Sequence, residues 1–174
     1  MKTAIVAIIV AIFALSVYKT FTAQSIEDIR QTERQQVMTV SPKKLDSLKI
    51  AVKDNDRLAQ YELGLLYARG ADILPQDYTK ARELLYKASM QGVPQAQYHL
   101  GEMYVWGDGV EVDYSEATVW FWLATSLGDR YAQRRLRAIN TRISSEELAD
   151  AKVEVDKLWK EIPHDLKIEK TSIH

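Results

Sequence analysis

The feature that most constrains this chain is a twelve-residue stretch that occurs twice. AQYELGLLYARG occupies residues 59–70, and AQYHLGEMYVWG occupies residues 96–107. The similarity continues downstream, where Asp77 returns as Asp113. The two aspartates are 36 residues apart, whereas the twelve-residue stretches are 37 apart. The second copy is therefore one residue shorter, and the missing residue lies in the loop that follows the twelve-residue stretch. Repeats that vary in length only at loops predict a stack of equivalent supersecondary units.

Each copy of the repeat is predicted to form a helix, a turn and a second helix. The first helix is expected over about 58–69 in one copy and 95–106 in the other. Gly70 and Gly107 follow these helices, and glycine favours the left-handed conformation that ends a helix. The repeated aspartate then suits the N-cap of the second helix.

A glycine also lies inside each first helix, at Gly64 and Gly101. Glycine in a helix interior costs up to about 1 kcal/mol relative to alanine. Two such glycines at equivalent positions therefore indicate a steric requirement. We expect a neighbouring helix to approach each of them closely.

The second copy resembles the Sel-like repeat (SLR), a relative of the tetratricopeptide repeat. The matching residues are Ala96, Leu100, Gly101, Tyr104, Gly107, Gly109, Val110, Asp113, Ala117, Trp120 and Phe121. The first copy departs at Asp72 and Ile73 in its loop, and at Leu84 and Leu85 in place of the aromatic pair. The resemblance covers roughly residues 45–137. It implies an all-α fold, a short right-handed α-solenoid of antiparallel helix pairs.

Partial units flank the two repeats, and a capping helix is expected to close the array. Arg137 lies at the position equivalent to Gly64 and Gly101. Its bulky charged side chain does not admit another helix at close distance, so we expect the stack to end there. Ser144 and Glu147 have the spacing of a capping box that opens the last helix. The predicted segments are a half-unit at 42–54, repeats at about 57–92 and 94–128, a half-unit at 130–140, a capping helix at 145–161, and a tail at 163–174, with the solenoid spanning 42–162.

The N-terminal region predicts export. Lys2 precedes an apolar run over residues 4–18, the pattern of a signal peptide. The run is short for a membrane helix, which needs about 20 apolar residues. Residues 1–23 are therefore a signal peptide or a membrane anchor, and 24–41 a polar spacer. Either reading predicts an exported chain, periplasmic or anchored in the inner membrane and facing the periplasm.

Composition and motifs argue against several function classes. Lys plus Arg number 23 and Asp plus Glu 24, a balance that does not favour nucleic-acid binding. The chain has no cysteine, which excludes disulfides and thiolate zinc sites. His99 and Glu102 lie three residues apart on one helix face, but no third metal ligand has fitting spacing. We interpret them as a solvated surface pair, and expect no cofactor, no metal and no enzymatic activity.

A row of variable positions on the first helices is the candidate binding surface. Its members lie at equivalent places of successive helices, away from the helix-packing stripe. They are Glu62, Leu65, Arg69, His99, Glu102, Trp106 and Arg135. A large aromatic at 106 fits a binding anchor, although packing against the following loop would also explain it.

Two further stretches carry open alternatives. The helix containing TVWFWLATSL, residues 118–127, is apolar on nearly every side, so either the capping helix or a partner protein covers it. Arg130, Arg134 and Arg137 form a basic stripe. This stripe is either a solvated face paired with local acids or a patch for an acidic partner segment.

These features predict a non-enzymatic protein–protein interaction module of the cell envelope. A protein partner is expected, with membrane contact through the N-terminal segment alone, and the oligomeric state stays open. Two alternatives remain. One is a periplasmic immunity protein against a secreted toxin, and the other is a cell-wall-acting hydrolase.

Overall fold

The computed structural model describes residues 39–163, which lie within one compact unit. The predictions for residues 1–23, for most of the spacer at 24–41 and for the tail after 163 fall outside the described residues. Across residues 39–163, each helix is too short or too polar to cross a membrane.

Helices account for the fold of this region. Its elements are α1 (Pro42–Lys53), α2 (Arg57–Arg69), α3 (Tyr78–Met90), α4 (Pro94–Trp106), α5 (Tyr114–Ser126), α6 (Arg130–Ile139), a 3₁₀ turn (Asn140–Arg142) and α7 (Ser145–Glu161). Residues 39–163 contain no β-strand, and one isolated bridge joins Ala71 to Leu74. Consecutive helices from α1 to α6 pack against each other, and α7 packs on α5. The expected all-α solenoid is confirmed.

The helix starts follow from short polar side chains. Asp77 accepts a hydrogen bond from the Lys80 amide, and Asp113 accepts one from the Glu116 amide. The capping box at the start of α7 is also present, because Ser144 and Glu147 each accept from the other's backbone amide. These bonds satisfy amides that have no partner within their own helix. The sequence signals for the starts of α3, α5 and α7 were therefore sound.

The two helix glycines lie where the hairpins nest. A Cβ on Gly64 of α2 would lie 3.0 Å from Leu85 Cγ of α3. The equivalent atom on Gly101 of α4 would lie 2.5 Å from Phe121 Cε1 of α5. In each helix pair, a side chain of the second helix therefore occupies the space that a side chain at the glycine would need. This is the close approach that the sequence predicted.

The loops connect one unit to the next. In the second copy, a Cβ on Gly109 would lie 2.5 Å from Cβ of Tyr78, at the start of α3. In the first copy, the divergent loop faces the other way along the array. Asp72 accepts a hydrogen bond from the Val40 amide at 3.1 Å, and Leu74 joins the core beside α1. The divergent loop of the first copy thus contacts α1 and the residue Val40 just before it.

The apolar helix α5 is covered from within the chain. Leu123 of α5 shares one core cluster with Ala151, Leu158 and Ile162 of the C-terminal region. Trp122 packs at the edge of the same cluster. The capping helix is thus the cover for α5, the first of the two alternatives raised by its sequence.

Candidate partner-binding face

The three first helices, α2, α4 and α6, place their variable side chains next to each other. Tyr61 of α2 meets His99 of α4, with ring centroids 6.0 Å apart. Glu102 of α4 meets Arg135 of α6 through an ion pair. Side chains of neighbouring first helices thus contact each other across the array.

Three predicted residues form a cluster that we call the Trp106 anchor: Glu102, Trp106 and Arg135. Nε1 of Trp106 donates to Glu102 Oε2 at 3.0 Å. Nε of Arg135 donates to Glu102 Oε1, and its guanidinium carbon lies 5.6 Å from the Trp106 ring centroid. One carboxylate therefore orients both an indole and a guanidinium, and the cation also contacts the ring face.

The anchor presents its aromatic ring to solvent while its charges are partly covered. Trp106 is 38% exposed, whereas the side chains of Arg135 and Glu102 are 27% and 21% exposed. Nη2 of Arg135 is buried and has no hydrogen-bond acceptor among the described residues. The arrangement suits recognition of a protein surface by a fixed amphipathic ring.

His99 occupies a different setting from the one predicted. Its ring is half-buried between the rings of Tyr61 and Tyr98, whose centroids lie 6.0 and 5.2 Å away. Burial, helped by the positive charge of Arg69, lowers the pKa of His99 to about 4. The interpretation of His99 and Glu102 as a solvated surface pair was wrong, because aromatic rings cover His99 while Glu102 binds Arg135.

The α2 members of the predicted row are more dispersed. Glu62 is exposed and pairs with Lys44 of α1, at 2.7 Å between Nζ and Oε2. Leu65 is half-buried against the main core. Arg69 is exposed and acts on His99 through its charge. The structure thus brings together Glu102, Trp106 and Arg135, and directs Glu62 toward the N-terminal half-unit instead.

Two glutamines that the sequence analysis did not single out also matter for the face. Gln60 and Gln97 follow the alanine that opens each repeat, and both are buried. Nε2 of Gln97 donates to the Ser89 carbonyl at 3.1 Å, which links α4 to the end of α3. Gln60 accepts from Gln91 Nε2 at 2.8 Å. The repeated Ala-Gln pair was the sequence signal for these two residues. Their hydrogen bonds hold α2 and α4, which carry the candidate binding residues, against the end of α3.

The geometry of this region offers no metal centre. Within residues 39–163, no three side chains of the His, Cys, Asp or Glu type come together as metal ligands.

The basic stripe on α6 differs from the interpretation that it is a solvated face paired with local acids. In the described region, Arg130, Arg134 and Arg137 form no ion pair with a carboxylate.

Comparison with known proteins identifies the repeating unit. The Sel1 repeat family model matches residues 57–93 and 94–129. The Arabidopsis thaliana ERAD-associated E3 ubiquitin-protein ligase component HRD3B is 41% identical over 56 residues, covering 32% of this chain and 9% of that protein. The Azotobacter vinelandii alginate biosynthesis protein AlgK is 30% identical over 108 residues, covering 61% of this chain and 23% of that protein. The chain thus spans less than a quarter of the length of either relative.

Solved structures show the same architecture. A protective antigen of uropathogenic Escherichia coli with an SLR fold matches with a TM-score of 0.66 and 26% identity, covering 71% of this chain and 27% of that one. A Sel1 repeat protein from Oxalobacter formigenes matches with a TM-score of 0.50 and 40% identity, covering 53% of this chain and 26% of that one. Sel1 repeats form protein-interaction scaffolds and are not typically catalytic.

Proposed function

Because this chain carries two Sel1 repeats, we propose that residues 42–162 bind a partner protein through the Trp106 anchor. The observation that carries the proposal is the setting of Trp106. Its ring is 38% exposed, yet Glu102 and Arg135 hold it in place from two helices. Arg69 occupies the equivalent place on α2 and extends the contact surface to the first repeat.

The physical advantage of this surface is that it is formed before the partner arrives. Binding costs about 0.5–1.5 kcal/mol for each side chain that must be immobilised. The hydrogen bond from Trp106 to Glu102 and the ion pair to Arg135 have already restricted those side chains. Large aromatic and arginine side chains also dominate the binding energy of many protein interfaces. Binding at the Trp106 anchor therefore loses little side-chain freedom.

We further propose that the module acts in the cell envelope. The support comes from the sequence, where Lys2 and the apolar run at 4–18 have the pattern of an export signal. An immunity protein is a narrower form of the same proposal, because it too acts by covering a partner protein. Fractionation of the source cells, with antibody detection of the chain, tests the location. Recovery in the cytoplasmic fraction would contradict it.

The binding proposal is tested by quantitative pull-down from extracts of the source cells. Wild-type chain is compared with Trp106→Ala and with Tyr86→Ala, which removes an aromatic that is 45% exposed on α3. A partner that depends on the anchor is retained by wild type and Tyr86→Ala and lost with Trp106→Ala. Equal recovery with all three chains, or loss with Tyr86→Ala alone, would contradict the proposal.

A further inference from the structure

A second candidate site lies on another side of α6. It is a cavity of about 280 Å³ where α5, α6 and α7 meet. Its apolar walls are Trp122, Leu136, Ile143 and Leu148, and Arg137 and Thr118 supply polar groups. Residues two apart on a helix are rotated by about 200°, so Arg137 points away from Arg135 and the Trp106 anchor. This site is therefore separate from the proposed partner-binding face.

The size of the cavity limits what it can accept. Small-molecule and cofactor sites usually have volumes of about 300–1,000 Å³. A volume of about 280 Å³ lies just below that range. The apolar walls and small volume suit one bulky side chain of a peptide better than a cofactor.

Arg137 lines the cavity, and the chain segment that carries it is strongly cationic. Residues 129–143 contain five arginines and one aspartate, although the whole chain has a net charge of −1. The one aspartate, Asp129, accepts from the Ala132 amide as the N-cap of α6. Of these arginines, Arg135 alone forms an ion pair with a carboxylate in the described part of the chain. The other four arginines have no carboxylate within ion-pair distance in residues 39–163.

Aromatic rings hold two of these arginines in place. The guanidinium of Arg134 lies 4.7 Å from the ring centroid of Tyr131. The guanidinium of Arg142 lies 5.3 Å from the Tyr114 ring, and its Nη1 donates to the Tyr114 hydroxyl at 2.9 Å. Contact with a ring positions a guanidinium without cancelling its charge. The arginines are thus ordered and still available to a carboxylate.

The Glu147 carboxylate at the start of α7 is hydrogen-bonded within its own helix start. The Glu147 side chain, at the start of α7, accepts from the Ser144 amide at 2.7 Å. Hydrogen bonds from Ser144 lower the pKa of Glu147, which is the effect expected of a carboxylate committed to a capping box. An external carboxylate would therefore approach Arg134 and Arg137 without displacing an ion pair of residues 39–163.

From this combination we infer that the cavity binds an acidic segment of a protein that carries one bulky apolar side chain. The apolar side chain enters between Trp122, Leu136 and Leu148. Carboxylates on neighbouring residues of the segment pair with Arg137 at the cavity and with Arg134 along α6. An anionic membrane would use the arginines but would not require a cavity of this size. The inference does not depend on the Trp106 anchor.

The test uses synthetic heptapeptides and the full chain, with fluorescence anisotropy as the readout. The probe peptide has a central phenylalanine flanked by glutamates. Two matched peptides replace either the phenylalanine by alanine or the glutamates by glutamines. The protein variants are Arg137→Gln, the double variant Arg134→Gln/Arg137→Gln, and Lys87→Gln, which removes an exposed cation from α3. Circular dichroism verifies that every variant keeps its helical content.

Saturable binding of the probe peptide to wild type is expected, weakened about fivefold by Arg137→Gln and further by the double variant. Lys87→Gln should bind like wild type, both matched peptides should bind more weakly, and raising the salt should weaken the probe. Three results would overturn the inference: no saturable binding, equal binding of the three peptides, or equal effects of Lys87→Gln and Arg137→Gln. Arg137-dependent binding to phosphatidylglycerol vesicles without binding of the probe would assign the arginines to a membrane instead.

Discussion

Gly101 of α4 lies against the ring of Phe121 in α5, so closely that a Cβ on the glycine would be 2.5 Å from Phe121 Cε1. The ring therefore occupies the volume that any other residue would need at position 101. This contact explains why the sequence accepts the helix-propensity cost of glycine there. It also fixes the distance between α4 and α5, and with it the position of the Trp106 anchor at the end of α4.

The two helix glycines are predicted to differ in their response to alanine. Gly101→Ala should lower the free energy of unfolding by about 1–3 kcal/mol, because the added methyl group overlaps a rigid ring. Gly64→Ala should stay within about 1 kcal/mol of wild type, because its Cβ would lie 3.0 Å from Leu85 Cγ, a contact that a small shift of Leu85 relieves, while alanine gains helix propensity. Urea denaturation measures both. Equal effects, or a more stable Gly101→Ala, would show that the close approach is not what selects glycine.

The ion pair between Glu102 and Arg135 should couple α4 to α6. A double-mutant cycle with Glu102→Gln and Arg135→Gln is expected to give a coupling energy of about 1 kcal/mol or more, since both side chains are largely covered. The exposed pair Lys157–Glu154, within α7, provides the control and should couple by no more than about 0.5 kcal/mol. A coupling energy no larger than that control would remove the electrostatic support for a fixed Trp106.

Because burial lowers the pKa of His99, the protein should lose stability in mild acid. The folded-state pKa of His99, about 4, lies below the value of 6.5 for an unperturbed histidine. The unfolded chain therefore binds a proton first as the pH falls. The free energy of unfolding should drop between pH 6.5 and 4, with a slope approaching about 1.4 kcal/mol per pH unit.

The matched measurement for that prediction is urea denaturation of wild type and His99→Gln at pH 7.5 and 4.5. The variant should lose less stability on acidification, because glutamine does not titrate. Burial raises the pKa of Glu116, so protonation of Glu116 increases the free energy of unfolding as the pH falls. Wild type and the variant both contain Glu116, so the comparison between them isolates His99. Parallel pH profiles for the two proteins would mean that His99 titrates normally.

The capping helix should be required for a stable array. Leu158 is 8% exposed and packs into the main core, whereas Val153 on the same helix is 69% exposed. Leu158→Ala is expected to cost about 2–4 kcal/mol. Val153→Ala should change the stability by less than about 0.5 kcal/mol. Thermal unfolding followed by circular dichroism compares the two, and similar midpoints would show that α7 contributes little to the stack.

The fold was predictable because its determinants are local or repeated. Asp77 and Asp113 mark helix starts through bonds to amides three residues away, and such bonds leave a signature in the sequence. Gly64 and Gly101 reveal close packing because the same costly residue occurs twice in register. Repetition thus converts a tertiary contact into a pattern that one sequence can show.

The setting of the candidate site was less predictable, because it depends on contacts between different helices. Helical spacing placed Glu102 and Trp106 on one face but gave no reason to pair Glu102 with Arg135, which lies 33 residues away. Spacing also placed His99 on an exposed row. The rings of Tyr61 and Tyr98 cover His99 instead. The contact with Tyr61 depends on the distance between α2 and α4, which helical spacing within one helix does not reveal.

The most direct test of the central claim is site-specific photo-crosslinking in the cells that make this protein. A benzophenone side chain is placed at Arg69, the α2 equivalent of Trp106, and in a control chain at Tyr86 on α3. The account predicts a partner adduct of defined mass from position 69, its loss when Trp106→Ala is added, and little or none from position 86. An adduct from position 86 without one from position 69 would contradict the assignment of the binding face.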